Sequence, residues 1–184
     1  MKINKSTRHA KITGCFGEAL VLYWLSKHGF ECTLADHTGI DIIARNPHTT
    51  QLMGISVKSR SRSEGMETEY LTIRNDNFEK AKVACDAFGC VPYFAFVIDA
   101  GGIIRAFLLP MSKLLNLFPQ GKTASGWKMT ESYLKLYAEN PEIQAFELQA
   151  RTTQWWGQQD VPANGSQPIC SESNSTSSAA CSRR

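Results

Sequence analysis

The alternation of apolar and polar positions along the chain predicts a helix followed by a series of short strands. Apolar residues recur at helical spacing over residues 14–28, and Gly29 then occupies a position typical of a helix C-terminus. Apolar and β-branched runs bounded by turn residues predict strands. They lie at residues 30–34, 39–44, 52–58, 91–98 and 103–109.

Helices are predicted between and after these strands. Asp76 and Glu79 have the spacing of a capping box, which predicts a helix over residues 76–88 that stops at Gly89. Shorter helices are expected near residues 111–117 and 130–139, and a last strand over residues 143–148. The segment 59–69 is polar, and we expect it to be mobile. Strands interleaved with helices in this order indicate an α/β domain with a mixed sheet.

The chain has 184 residues, which suits one folded domain. We expect a flexible basic arm over residues 1–13 and the α/β domain over residues 14–156. The Ser-rich stretch from residue 157 to 184 has almost no large apolar residues, so we expect it to be disordered. No apolar run is long enough for a signal peptide or a membrane span, which indicates a cytoplasmic protein.

Positive charge is concentrated in the first third of the chain. Residues 1–62 carry nine Lys or Arg against four Asp or Glu, whereas the remainder carries eleven against thirteen. Such an excess is common on ordinary surfaces, but it also suits a polyanionic partner. Lys11, Arg60 and Arg62 are candidate contacts to a nucleic-acid backbone, because cationic side chains match phosphate oxygens.

Two acids and a lysine stand out against their surroundings. Glu18 lies in the first predicted helix, where an exposed first-turn acid is the simpler interpretation. Asp41 interrupts an apolar strand, in which aspartate is unfavourable, so a functional role is the better interpretation there. Lys58 ends the next apolar strand. If the intervening loop is centred between His48 and Thr49, Asp41 lies opposite Ser56 and diagonal to Lys58, on one face of the sheet.

These residue types suit phosphodiester hydrolysis. Two carboxylates, from Glu18 and Asp41, provide the oxygen ligands that Mg²⁺ prefers. The cation would polarise the phosphate and make water more acidic. Lys58 would orient that water or stabilise the developing negative charge.

The ordered set of Gly14-Cys15-Phe16-Gly17-Glu18, Gly39-Ile40-Asp41 and Ser56-Val57-Lys58 resembles the PD-(D/E)xK nuclease superfamily, in particular its Holliday junction resolvase-like and restriction-endonuclease-like branches. The resemblance implies a restriction-endonuclease-like mixed central sheet flanked by helices. It implies that Glu18, Asp41, Ser56 and Lys58 form the catalytic set, and that Glu18, Asp41 and the main-chain carbonyl of Val57 bind Mg²⁺ or Mn²⁺. Ser56 departs from the family, which usually has Glu, Asp or Gln at this position.

The resemblance implies a metal-dependent endonuclease that acts on DNA. The departure at Ser56 keeps open a nuclease-like fold that binds nucleic acid without cutting it, or a site that recruits Glu64, Glu67 or Glu69. An unrelated interaction domain is the third alternative, and it requires Asp41 and Lys58 to point to different faces. A homodimer would suit paired symmetric cuts.

Overall fold

The computed structural model describes residues 5–150. In chain order its elements are α1 (His9–Lys27), β1 (Glu31–His37), β2 (Ile40–Arg45), β3 (Leu52–Ser61), β4 (Leu71–Arg74), α2 (Asn75–Phe88), β5 (Val91–Ala100), β6 (Ile103–Pro110), α3 (Met111–Leu117), β7 (Ala124–Trp127), α4 (Glu131–Ala138) and β8 (Gln144–Gln149). The predicted arm at residues 1–4, the end of the predicted domain at residues 151–156 and the predicted tail at residues 157–184 lie outside the described residues.

The predicted mixed sheet flanked by helices is confirmed. Six strands form the main sheet in the order β1-β2-β3-β5-β6-β8, and β4 pairs with β7 in a separate two-stranded sheet. β3 and β5 are parallel, while the other neighbours in the main sheet are antiparallel. Within residues 5–150, no helix has both the length and the apolar character needed to cross a membrane.

β5 is buried on both faces, which explains its uninterrupted apolar sequence. Val97 belongs to the core cluster that α1 forms on one face, together with Val21. Phe94 belongs to the cluster on the other face, where its ring centroid lies 5.1 Å from that of Phe78 on α2. Helices therefore cover both sides of the sheet, and the strands that carry the candidate site lie between them.

α1 begins at His9, so the predicted start at Gly14 was wrong, and residues 9–13 of the predicted flexible arm are helical. Arg8 occupies the N-cap position without a side-chain hydrogen bond, so the sequence lacks the usual starting signal. The Thr13 hydroxyl donates a hydrogen bond to the His9 carbonyl within this first turn. The helix thus extends toward the far end of β3.

β3 continues to Ser61, three residues past the predicted end at Lys58. Its last residues pair with β5 in the parallel ladder, where Ser59 lies opposite Val97 and Ser61 opposite Asp99. The expectation of a mobile segment was therefore wrong for residues 59–61. Backbone pairing orders them despite their polar side chains.

The predicted capping box of α2 was wrong, although the helix itself is present. Arg74 is the N-cap and makes no side-chain capping bond. Asp76 lies inside the first turn, where its carboxylate accepts a hydrogen bond from Lys80 at 3.1 Å. The strands β4 and β7 were not predicted, because each has only four residues and its partner lies far away in sequence.

Gly39 is the last residue of the turn before β2, and it packs against α2. Its φ of +113° favours glycine, and a Cβ at this position would overlap the main chain at Lys80. The glycine of the Gly39-Ile40-Asp41 motif therefore allows β2 to start directly beneath α2. This close packing fixes the position of the Asp41 backbone.

Candidate functional site

The register of the β2–β3 hairpin is the one predicted from the sequence. The ladder runs from Arg45 opposite Leu52 to Ile42 opposite Ile55. The side chain of Asn46 fixes the loop, since its Oδ1 accepts the main-chain N–H of His48 at 2.8 Å. Asp41 directly precedes Ile42 near the start of β2, and Ser56 directly follows Ile55 on β3. The alternative in which the hairpin is shifted by one residue is excluded.

Asp41 takes over the role of a main-chain acceptor at the end of this ladder. Continuing the register would place Val57 opposite Ile40, but the main-chain pairing of β2 with β3 ends at Ile42 and Ile55. Instead, the Val57 N–H donates a hydrogen bond to Asp41 Oδ2 at 2.6 Å. Because the N–H and C=O of one strand residue point to the same edge, the Val57 carbonyl is also directed toward this side. The Asp41 carboxylate and the Val57 carbonyl therefore lie at one opening in the sheet, the point where β2 and β3 stop pairing.

Ser56 and Lys58 are joined by a hydrogen bond on the same face of β3. Lys58 Nζ donates to Ser56 Oγ at 3.0 Å. Ser56 is only 2% exposed, so the bond satisfies a buried hydroxyl that would otherwise be costly. The hydrogen bond with this hydroxyl holds the lysine in place.

Glu18 is brought to the sheet by the close approach of α1 to β3. Its neighbour Gly17 is buried, and a Cβ on Gly17 would overlap the hydroxyl of Ser59 on β3. A glycine at this position lets the helix backbone rest on the strand. Glu18 is half-buried beside this contact. The Gly-Glu pair therefore positions a carboxylate at the junction of helix and sheet.

The pKa directions show that Glu18, Asp41 and Lys58 share one electrostatic environment. Burial raises the pKa of Glu18, and the negative charge of Asp41 raises it further while Lys58 opposes the effect. Burial lowers the pKa of Lys58, and the charges of Asp41 and Glu18 partly restore it. The charges of the helix acid, the strand acid and the strand lysine thus act on one another.

Two further acids contribute to this environment, and the sequence did not indicate a role in the site for either of them. Asp36 raises the pKa of Glu18, and Asp76 raises the pKa of Lys58. Asp36 lies in β1 next to an irregularity in the pairing between Leu34 and His37. The influence of both acids on the site comes from tertiary packing and not from a sequence motif.

The donor set at this opening fits a hard divalent cation. Burial, and after it the negative charge of Asp41, raises the pKa of Glu18, and a cation bound by both carboxylates would relieve the repulsion between them. Within residues 5–150, no group of three or more His, Cys, Asp or Glu side chains is arranged to hold a metal. Mg²⁺ is often held by only one or two carboxylates, with water completing its shell. Glu18, Asp41 and the Val57 carbonyl would suit that mode.

The three candidate phosphate contacts lie in different settings. Lys11 is exposed on α1. Arg60 is exposed near the end of β3, where its guanidinium donates to the neighbouring Ser59 carbonyl at 2.8 Å. The Arg62 guanidinium reaches further along the chain and donates to the Glu67 carbonyl at 2.9 Å. Arg62 therefore holds the segment after β3 in this conformation, and its contact to a nucleic acid stays a prediction.

The acidic residues suggested as substitutes for an acid at Ser56 follow β3 in this same segment. The Glu67 carboxylate accepts the Gly65 N–H at 2.9 Å, and main-chain hydrogen bonds of this kind lower its pKa. Glu69 interacts electrostatically with Arg62. Glu67 and Glu69 thus have partners at the far end of β3, and neither is among the charges that influence Glu18.

A cavity of about 680 Å³ lies near the start of β3, beside Trp24, Met53 and Tyr93. The Tyr93 hydroxyl in its wall is already engaged, since it donates to Gln51 Oε1 at 3.0 Å. Glu18, Asp41 and Lys58 do not line this cavity. The cavity is therefore separate from the cluster of mutually interacting charges, and we assign the candidate site to that cluster.

Neither known family models nor curated protein sequences match the chain. Among solved structures, the chain is similar to Archaeoglobus fulgidus Hjc, a Holliday junction resolvase from an archaeal hyperthermophile. The two are 21% identical, the match covers 67% of this chain and 88% of that chain, and the TM-score is 0.49. A similarity at this level assigns neither activity nor substrate to this chain.

Proposed function

We propose that this chain is a metal-dependent endonuclease that hydrolyses DNA phosphodiester bonds, of the Holliday junction resolvase-like or restriction-like kind that its sequence motifs resemble. The proposal rests on one observation. Asp41 lies where β2 and β3 stop pairing, with its carboxylate on the Val57 N–H at 2.6 Å and its charge felt by both Glu18 and Lys58. A strand acid whose charge acts on both a helix acid and a partly buried lysine supports a functional site.

Each residue of the cluster has a chemical role in this proposal. Glu18, Asp41 and the Val57 carbonyl would hold Mg²⁺ or Mn²⁺, which when bound polarises a phosphate and neutralises its charge. Lys58 directs an ammonium group to the same place and stabilises negative charge as the phosphate is attacked. Ser56 fixes the position of that ammonium through the hydrogen bond at 3.0 Å.

The second candidate is a nuclease-like protein that binds nucleic acid without cutting it. Ser56 favours this alternative, because a buried hydroxyl stands where the family that the motifs resemble usually has Glu, Asp or Gln, and its oxygen already accepts a bond from Lys58. One fewer carboxylate weakens the attraction for a divalent cation. The two candidates predict the same DNA binding but opposite outcomes for cleavage.

A cleavage and binding assay on a panel of substrates tests the proposal. The full chain would be incubated with supercoiled plasmid, linear duplex and a four-way junction, each with Mg²⁺, Mn²⁺ or EDTA. We expect metal-dependent cutting that disappears in Asp41→Ala, and the preferred substrate identifies the branch of the family. Binding that weakens with salt, without cutting in either metal, would favour the second candidate. Absence of both binding and cutting would contradict the proposal.

A further inference from the structure

A small cleft lies on the other side of α1 from Glu18. It has a volume of about 130 Å³, and it is bounded by the first turns of α1 and by the ends of β3 and β5. Phe16 lines it, and Phe16 and Glu18 point about 200° apart around the helix because they are two residues apart. The cleft is thus distinct from the cluster of Glu18, Asp41 and Lys58.

The floor of the cleft is apolar, and part of it is open to solvent. Ile12, Phe16 and Val97 contribute apolar surface. Phe16 is 42% exposed and Ile12 is 56% exposed, so neither is used fully in the core. A phosphate group has no affinity for such a surface, whereas the face of a planar ring does. The volume is roughly ten times what one ordered water requires, which leaves room for a ring system.

Polar groups of both signs surround this apolar floor. Arg60 and His9 line the cleft on its basic side. Lys5 reaches across the same end of β3, and its Nζ donates to the Ser61 carbonyl at 2.6 Å. Asp99 also lines the cleft, and its Oδ2 accepts a bond from the Ser61 hydroxyl at 3.0 Å. An apolar floor with cations and one carboxylate matches a ring that bears an amino group and is attached to a phosphate.

The cleft is within reach of a strand bound at the candidate site. Arg60 lies two residues beyond Lys58 on β3, a separation of about 7 Å along the strand. A nucleic-acid strand with a phosphate at Lys58 would therefore pass Arg60 when it runs toward the N-terminus of α1. The guanidinium can contact both the phosphate and the face of a neighbouring base.

We infer that this cleft binds an unpaired nucleobase of the DNA substrate, with the ring on Phe16 and Ile12 and an exocyclic amino group that donates a hydrogen bond to Asp99. The inference rests on the proposed function. Bases in a continuous duplex are stacked on their neighbours and do not offer a face to a protein, whereas unpaired bases do. The substrate class is therefore DNA with unpaired nucleotides beside the cut, and the cleft prefers a base with an exocyclic amino group (adenine, cytosine or guanine) over thymine, which has none.

Binding measurements on full-length protein that carries Asp41→Asn test this inference without cleavage. The probes are a labelled duplex and the same duplex with a short single-stranded flap, whose first unpaired base is adenine or thymine. We expect the adenine flap to bind about tenfold more tightly than the duplex, as expected for one base stacked on an aromatic ring. Asp99→Asn should reduce the preference for adenine over thymine.

Two variants of exposed aromatic residues on α1 provide the matched comparison. Phe16→Ala should abolish the advantage of the flap, while Tyr23→Ala should retain it because Tyr23 is 58% exposed and does not line the cleft. A 2-aminopurine at the first unpaired position should change its fluorescence on binding in all proteins except Phe16→Ala. Unfolding curves identify a variant that fails to fold, and Arg60→Ala then replaces Phe16→Ala in the comparison.

The outcomes separate this inference from the proposed function. Equal affinity for duplex and flap, unchanged in Phe16→Ala, would overturn the inference while the nuclease proposal stands on duplex binding and cutting. Absence of binding to every DNA would overturn both. A flap preference that survives both Phe16→Ala and Arg60→Ala would place the unpaired base elsewhere and would also overturn the inference.

Discussion

The Asp41 carboxylate on β2 accepts the main-chain N–H of Val57 on β3 at 2.6 Å, at the point where the two strands stop pairing. The side chain therefore serves two purposes. It satisfies a backbone donor that the ladder leaves without a main-chain partner, and it holds one of the two acids of the candidate site in place.

This double role predicts different stability for two substitutions of Asp41. Asp41→Ala leaves the Val57 N–H without its acceptor and should lower the free energy of unfolding by about 1–3 kcal/mol. Asp41→Asn keeps an acceptor oxygen and should lower it by less than about 1 kcal/mol. Urea unfolding of the two variants measures the difference. Equal losses in both variants would mean that the hydrogen bond to Val57 does not stabilise the fold.

Glu18→Gln should change how stability depends on pH. Burial, followed by the charge of Asp41, raises the pKa of Glu18 above its ordinary value of 4.5. The folded protein therefore retains this proton to higher pH than the unfolded chain, and its stability falls as pH rises from 4.5 through the raised pKa. The variant lacks this loss, so its stability relative to wild type should improve with pH, by less than about 1 kcal/mol because solvent screens Glu18.

Urea unfolding in EDTA between about pH 4 and pH 7 measures this effect, in the range set by the ordinary carboxyl pKa. A difference between Glu18→Gln and wild type that stays constant over that range would contradict the raised pKa. Glu79→Gln is the control, because Glu79 is exposed on α2 and lies outside the cluster of Glu18, Asp41 and Lys58.

Two glycines of one motif should respond in opposite ways to alanine. At Gly17 a Cβ would overlap the Ser59 hydroxyl, so Gly17→Ala should destabilise the protein by about 1–3 kcal/mol and displace Glu18. At Gly14 there is open space, so Gly14→Ala should stabilise the helix by about 0.5–1 kcal/mol. Thermal unfolding of both variants measures this. The combination Gly17→Ala with Ser59→Gly should recover part of the loss, and its failure to do so would place the cause outside this contact.

Ser56→Glu tests the consequence of the missing acid. A third carboxylate beside Asp41 should lower the Mg²⁺ concentration needed for half-maximal cleavage on the order of tenfold, because affinity rises with ligand charge. Ser56→Gln is the matched control without that charge, and Ser56→Asp is the shorter alternative if the buried position rejects glutamate. If wild type, Ser56→Glu and Ser56→Asp all require the same Mg²⁺ concentration, position 56 does not belong to the metal site.

The sequence predicted the parts of the site that depend on local pairing. Asp41 and Lys58 flank one hairpin, so the loop centre between His48 and Thr49 determined their register. The contacts that complete the site join distant segments, and no local pattern encodes them. Gly17 against Ser59 and Gly39 against α2 became clear only from the packing.

The same distinction applies to the fold. β5 was predicted because burial on both faces gives a continuous apolar run, whereas β4 and β7 are short and stabilise each other across a long sequence separation. The early start of α1 was missed because Arg8 provides no side-chain cap. The cleft beside Phe16 depends on that early start, so the sequence could not indicate it.

The nicking rate of supercoiled plasmid in Mg²⁺ tests the central claim most directly, with wild type compared with Asp41→Asn. Asp86→Asn is the matched control, because Asp86 is an exposed aspartate on α2. The account predicts that wild type and Asp86→Asn nick at the same rate, that EDTA stops both, and that Asp41→Asn is slower by about 100-fold or more. Nicking by Asp41→Asn at the wild-type rate would contradict a nuclease site built on Asp41.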